Sequence, residues 1–570
     1  MNRPALHLGF SIAPGPAAGI VSATAGAAVR AAEGLWRRDA SVWSSDSVVR
    51  EKIANRLGWL VSPALMRASI DRLRTMADEI CGSGFQDVVL LGMGGSSLAP
   101  DVLRAVVGVG RGRPRFHMLD STDPAAVRAI ATDPARTLFI LASKSGTTIE
   151  PNSLAGYFRN RLEAAGVSRW ASHFVAVTDA GTELAGFAVA ERFRHVFINP
   201  SDIGGRYSAL SFFGMVPAAL MGQDVEAIIG WGEAMLDAAR MPGDVVTNPA
   251  VGLGLLMAAC AQDGRDKLTL VLPPSLEPFG LWVEQLVAES TGKQGVGVVP
   301  IAGETLGEAA VYGDDRVFVR LRKTDERTEA ARDTAMLALA AAPVATIVLD
   351  EPTALGAEFM RWEIATAIAG SVLGVNPFDE PNVQQAKDAT RVLLERYESQ
   401  GQLRDTPADQ TSESGVTLTL TAAARVSLGD AAADSLLTCV GDDDYVALLA
   451  FLGPDPRLAD VMRTFRMTVR DRLKVATMFG YGPRYLHSTG QLHKGGPNSG
   501  VFVLVTATPA EDIDIPGRSF SFGTLELAQG LGDFASLEAT GRRAVHIHLP
   551  APDPRLLDAV LASLTEALAH

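Results

Sequence analysis

The sequence is short of cysteine, of basic charge, of long apolar runs and of histidine, and each shortage narrows the function. Cys81, Cys260 and Cys439 lie far apart with no metal-ligand spacing, so neither a thiolate metal centre nor a disulfide framework is expected. Three separated, reduced cysteines fit a cytoplasmic compartment. No uninterrupted apolar stretch is long enough to span a bilayer. The Ala/Gly-rich stretch from Phe10 to Ala32 is interrupted by Pro14 and Pro16 and preceded only by Arg3, so it does not read as a secretory segment. Lys and Arg number 51 against 65 Asp and Glu, a formal charge of −14 that argues against non-specific nucleic-acid binding. One pocket can still be positive on an acidic protein. Histidine is absent between His195 and His487, a gap that matters below.

What is present is a globular chain. Its 570 residues exceed one hydrophobic core and imply two or three domains, and 47% hydrophobic with 20% charged residues excludes disorder. Residues 1–85 read as mostly helical, clearest at Ala25–Arg37 and Ser47–Leu57. Strands are then expected at Asp87–Leu91, Arg115–Leu119, Leu138–Leu141, Phe174–Val177 and His195–Ile198, each followed by a turn and a helical stretch. That alternation is the mark of a doubly wound parallel sheet. A second α/β unit follows, with strands at Lys267–Leu272, Val317–Leu321 and Thr346–Leu349 and helices at Phe279–Ala288 and Glu358–Leu373. The polar stretch 399–415 reads as a linker. A last α/β unit carries strands near Tyr445–Leu452, Val501–Thr506 and Ala544–Leu549, with helices at Leu458–Met478, Thr524–Leu531 and Pro554–Ala569. The expected domains are therefore 1–85, 86–245, 246–398 and 416–570, the last two separated by the linker.

Chemistry concentrates in loops. Ser143-Lys144-Ser145-Gly146-Thr147-Thr148 joins an apolar strand to a helical pattern with Pro151 in its first turn. Hydroxyls and backbone N–H groups meeting there suit a phosphate, although an ordinary Ser/Thr-rich helix cap reads the same way. The spacing is not that of a Walker loop. Gly92-Met93-Gly94-Gly95 is half of a dinucleotide fingerprint, with Ser97 in place of the third glycine and no acidic partner downstream, so no NAD site is expected. Both loops fall at carboxyl ends of parallel strands, where ligands bind in such sheets. His546 and His548 alternate along a strand without a third ligand, and Asp442–Asp444 reads as a solvated loop.

Five segments in order, GMGGSSLAP, SKSGTT, SDIGGRYSALSFFG, ESTGK and NPFDEPNVQQAK, resemble the phosphoglucose isomerase family over about residues 87–387. The resemblance implies paired sugar-isomerase (SIS) domains, each an αβα sandwich on a doubly wound parallel sheet, with the C-terminal α/β segment packing against them. It implies isomerisation of glucose 6-phosphate and fructose 6-phosphate, with another hexose anionic at C6, or binding without turnover, as the alternatives. By the same resemblance Glu289 is the base, Arg206 the oxyanion stabiliser and Lys387 an assistant in ring opening. Gly95 and Ser96 would contact the sugar, and Ser143, Lys144 (through its backbone N–H), Ser145, Thr147 and Thr148 the phosphate. The family usually carries its histidine between the glutamate and lysine segments, where this chain has none. STGQLHKGGPNSG, Ser488 to Gly500, and SFGTLELAQGLGDF are similar instead to the isomerase half of transaldolase–isomerase fusions, and no transaldolase barrel fits in the short N-terminal region. His493 is then the expected ring opener, with His487 on the same glycine-rich stretch as the alternative. Proton transfer of this kind needs no Lewis acid, so no metal and no cofactor are expected. Family members are commonly dimers, which makes a homodimer compatible with the resemblance. Where the family carries glutamine near the phosphate, this chain has Glu380. A carboxylate facing a phosphate is repelled unless a cation intervenes or it is protonated, so Glu380 either points away or the terminal group is held differently.

Overall fold

The computed structural model describes residues 8–324, 335–336, 338–339, 341–403 and 407–569. Among the described residues three sheets organise the chain. The first contains β2 (Asp87–Gly92), β3 (Arg115–Leu119), β4 (Thr137–Ala142), β5 (Phe174–Asp179) and β6 (His195–Asn199), ordered β3-β2-β4-β5-β6 and parallel throughout. Every residue of β2 and β4 is buried, which explains why these strands read as unbroken apolar runs: helices cover both faces. The second sheet runs β1 (Phe10–Ala13), β10 (Val344–Leu349), β9 (Arg316–Lys323), β7 (Lys267–Val271), β8 (Val299–Ile301). Its edge strand β1 is antiparallel and comes from the N-terminal region, which is otherwise helical.

The third sheet runs β11 (Gln410–Thr411), β12 (Thr417–Leu420), β16 (Arg543–Leu549), β15 (Gly500–Ala507), β13 (Tyr445–Phe451), β14 (Ala476–Tyr481). Residues 404–406 of the expected linker lie outside the described residues, while β11 at Gln410 already pairs with β12 inside the expected linker. The helix expected at Leu458–Met478 spans Pro456–Leu473, because Lys474 adopts a left-handed conformation (φ 61°) and the chain turns into β14. In all three sheets the first parallel strand of the unit is central, its successor lies on one side and the third strand on the other. Each sheet thus has a switch point between two strand ends, the place where α/β proteins open a crevice.

Packing fuses the three units. One apolar core joins the N-terminal helices, one face of the first sheet and the buried helices Val251–Gln262 and Leu355–Leu373. Another joins the opposite face of the first sheet to Leu394, Phe522 and Leu525, from helices Val383–Gln400 and Phe522–Ala539. A third places β13 and β15 against Ala288, Val299 and Ile301. At that seam Glu304 accepts from Arg316 Nη1 (2.9 Å), Thr477 N (3.0 Å) and Thr477 Oγ1 (2.9 Å), while Arg466 Nη2 donates to the Ala302 and Thr477 carbonyls. Among the described residues no helix is long and apolar enough to cross a membrane.

Candidate active site

The loops after β2 and β4 leave the first sheet side by side, since Gly92 and Ala142 are partners at the carboxyl ends of their strands. In the loop after β4, Gly146 has φ 72°, a conformation that favours glycine. Its N–H donates to Ser143 Oγ (3.1 Å), and Thr147 N donates to Ser145 Oγ (3.3 Å). Ser143 Oγ and Thr148 Oγ1 lie 3.0 Å apart at the start of helix Ile149–Ala164, whose N-cap Thr148 caps no backbone N–H with its side chain. Hydroxyls and a helix N-terminus are thus gathered in one concavity suited to an anion. Lys144 turns its side chain away to pair with Asp179 and to donate to Ser201 O (3.2 Å), leaving its main chain for the loop.

The loop after β2 is pressed against the loop that carries Arg206. A Cβ on Gly95 would lie 2.0 Å from the Gly205 carbonyl oxygen, so only glycine allows the approach. Between these loops, helix Glu277–Thr291 and the turn 374–382 lies a cavity of about 510 Å³, lined by Gly95, Ser96, Ser143, Lys144, Ser145, Thr148, Arg206, Glu289, Glu380, Lys387 and His487. Thr147 lines instead the adjoining cavity of about 660 Å³, which shares Ser145, Thr148, Lys387 and His487 with the first.

Arg206 is buried and pinned. Its Nε donates to Ser290 Oγ (2.8 Å) and its Nη2 to the carbonyls of Pro377 (2.9 Å) and Asp379 (2.8 Å). Nη1 meets Glu380 at 2.9 Å and Glu289 at 3.6 Å. Burial disfavours its charge, but the two carboxylates outweigh that and hold the guanidinium protonated. Glu289 is buried too. Desolvation pushes its carboxyl up to about 7, against the pull of Arg206 and with the push of Glu380. A carboxylate poised there takes or returns a proton near neutral pH. Lys293, lowered to about 8 by burial and then by Arg206, bonds Asn376 O and Asp379 Oδ1 (2.8 Å), so it ties the turn 374–382 to the end of the Glu289 helix.

A family pattern described as phosphoglucose isomerase matches residues 62–318. A glucose-6-phosphate isomerase of Rubrobacter xylanophilus is 30% identical over 382 residues, which cover 58% of this chain and 87% of the relative. The chain belongs to the phosphoglucose isomerase family. A family relative from Prochlorococcus marinus is 32% identical over 357 residues, covering 55% of this chain and 64%, just under two thirds, of its own length. The crystal structure of a hypothetical protein from Thermus thermophilus superposes with a TM-score of 0.55 at 25% identity, covering 66% of this chain and 96% of that one.

Set against the family's motifs, the structure brings Arg206, Glu289, Lys387, Gly95, Ser96, Ser143, Lys144, Ser145 and Thr148 to one cavity. It does not bring His493 there. That side chain is buried beside Phe502 (ring centroids 5.2 Å apart) and Tyr485, and among the described residues neither ring nitrogen has a hydrogen-bond partner. Burial, then Lys494 and Arg542, push its pKa well below the usual histidine value, so it is neutral and sealed. The expectation that His493 opens the sugar ring is corrected on that ground. His487, from the turn Arg484–His487, faces the cavity and holds Nε2 2.9 Å from Glu150 Oε1. Glu380 meets a cation rather than a bare phosphate, since Arg206 lies on it.

The sequence reading missed four residues of this arrangement. Glu150, in the first turn of the helix after SKSGTT, is buried, and Gln529 Nε2 donates to the same Oε1 at 2.7 Å. Burial raises its pKa, but His487, the main-chain N–H and Lys387 together reverse that, and the carboxyl lies below its ordinary value. The signal in the sequence is an acid directly after the anion loop. Gln285, one helical turn before Glu289, donates to His487 O (2.6 Å). Gln491 links Gly292 O (3.0 Å) to Asn382, accepting from its N–H (2.8 Å), and so clasps the segments bearing Glu289, Lys387 and His487. Arg56 lines the cavity from the N-terminal region, where no motif marks it.

Proposed function

We propose that this protein interconverts glucose 6-phosphate and fructose 6-phosphate through an enediolate. The observation that carries the reading is the pairing of Glu289 and Arg206, 3.6 Å apart, in the cavity that also holds the serine–threonine loop. The phosphate would sit on Ser143, Ser145 and Thr148 with the helix N-terminus behind them. His487, backed by Glu150 and with Lys387 beside it in the cavity wall, would move the proton that opens the ring. Glu289 would then take the proton from C2 and return it to C1, while Arg206 Nη1 bears the charge that grows on the oxygen. Positioned acid–base groups contribute about 10²–10⁴-fold each, and a fixed guanidinium in a dry site supports the oxyanion without reorganising. A phosphosugar sensor needs only the anion cradle; a buried base facing a guanidinium favours turnover. Three free, widely separated cysteines support a cytoplasmic enzyme.

The test is conversion of fructose 6-phosphate in D₂O, with chelator, beside Glu289→Gln. Wild-type turnover with deuterium entering the product, and a loss of about 10³-fold or more in the variant with KM little changed, is the expected result. Equal turnover in the variant, or a raised KM with kcat intact, would remove Glu289 from the proton transfer.

A further inference from the structure

Glu380 shares Arg206 with the candidate base, and its contacts give that sharing a consequence for the base. Three of Arg206's bonding positions are spent on fixed neighbours: Nε on Ser290, Nη2 on the Pro377 and Asp379 carbonyls. Nη1 alone meets the two carboxylates, and its hydrogen bond goes to Glu380 at 2.9 Å while Glu289 is left at 3.6 Å. The turn that carries Glu380 is itself fixed, with Asn376 Nδ2 donating to Asp379 Oδ2 (2.9 Å), Phe378 N to Asn376 Oδ1 (3.0 Å) and Lys293 to Asp379. The turn that carries Glu380 is thus fixed beside the guanidinium, whose Nη1 bonds that carboxylate.

We propose that Glu380 is a positioning residue for the base: by engaging Arg206 Nη1 it keeps the guanidinium from neutralising Glu289, and so keeps Glu289 a strong enough base for a carbon acid. This rests on the proposed isomerase reading of the same cavity. The charged groups around Glu289 come from every neighbouring element. Arg206 and Tyr207 lie on one loop, Asp379 and Glu380 on the turn, Lys293 just beyond its own helix, His487 on the C-terminal turn, and Lys387 on helix Val383–Gln400. Arg56 faces Glu380 from the N-terminal region and Lys144 is occupied by Asp179. Of these, Glu380 is the one carboxylate sharing a nitrogen with Glu289 among the described residues. Burial, first, holds Glu289 near 7, Arg206 works against it, and Glu380 adds to it.

The sign follows. A neutral side chain at 380 removes a repelling charge and frees Nη1 for Glu289, so Glu289 ionises at lower pH. In Glu380→Gln the acid limb of kcat/KM for fructose 6-phosphate should move down by about one pH unit, and Glu380→Asp should return it toward the wild-type position. The substrate's own phosphate titration is common to both enzymes and cancels in the difference. At high pH the Gln variant should turn over more slowly, being the weaker base. Glu380 is half exposed, so Gln is tolerated sterically; if it fails to fold, Glu380→Ala carries the same expectation. A second readout is the infrared band of the protonated Glu289 carboxyl, identified by its loss in Glu289→Gln, which should disappear at lower pH in Glu380→Gln. A limb and band that stay in place, or move upward, overturn the proposal. A wild type that isomerises nothing overturns the reading of function instead, and the infrared titration then decides the role of Glu380 alone.

Discussion

His487 and His493 lie on one short stretch of chain and meet opposite surroundings. The turn Arg484–His487 ends over the cavity, anchored by Arg484 on Asp120 (2.8 and 2.9 Å) and by Tyr485 OH on Asp533 (2.6 Å). The helix Gly490–Gly495 that follows turns its buried face to the third sheet, and His493 goes with it. One imidazole therefore has a carboxylate on one side and an open cavity on the other; its neighbour has aromatic rings and, among the described residues, no hydrogen-bond partner. A glycine-rich motif brings a segment to a site, but the local turn decides which side chain arrives. Gln491, between the two, helps to hold the segment down through Gly292 and Asn382, as Lys494 does through Asp533.

The largest effect expected from this contrast is in turnover. His487→Ala should lower kcat on ring-closed substrate by about 10²–10⁴-fold, whereas His493→Leu should retain kcat within a few-fold. Steady-state kinetics of the two variants side by side decide it, and a silent His487→Ala with an inactive, folded His493→Leu would reverse the assignment. A smaller effect is expected one contact further from the sugar. Glu150→Gln keeps an oxygen for His487 but loses the charge that supports an imidazolium, and kcat should fall about 10–10²-fold with KM little moved. A pure KM effect would mean that Glu150 shapes the anion loop and does not act on the histidine.

The fold was legible where the chain repeats itself. Strands β2 to β6 are short, mainly apolar runs closed by Gly, Ser, Asp or Asn, and their loops carry motifs at strand ends, so the first unit follows from period and punctuation. Strands β1, β8, β11, β12 and β14 escape the pattern for different reasons: Phe10–Ala13 pairs with Val344–Ile347, more than three hundred positions away, β8 and β11 have only three and two residues, and β14 continues the apolar pattern of the helix before it. Helix Pro456–Leu473 overran in the reading because nothing in KVATMFG announces that Lys474 leaves the helix. The site divides in the same way. Arg206, Glu289, Lys387 and the SKSGTT loop sit in recognisable strings, while Glu150, Gln285, Gln491 and Arg56 act through contacts that span the chain. Burial separated the histidines, and burial is a tertiary property that no six-residue string contains.

The smallest expected effect concerns stability and isolates His493 from all catalysis. Its imidazole is buried, and burial with Lys494 and Arg542 holds its pKa well below the ordinary value near 6.5. In the unfolded chain the same group takes up a proton as pH falls through that ordinary value. Below it the unfolded state binds more protons than the folded one, so stability rises with pH and is lost on acidification. His493→Leu, close in volume and without the two unpartnered nitrogens, should remove that dependence. Thermal unfolding of wild type and variant at pH 7.5 and at pH 5.5 makes the comparison. The variant should lose less Tm on going to the lower pH, even if repacking costs it something at both. An equal loss in both proteins would mean that His493 titrates normally in the folded chain, and with it would go the reason for excluding that side chain from the cavity.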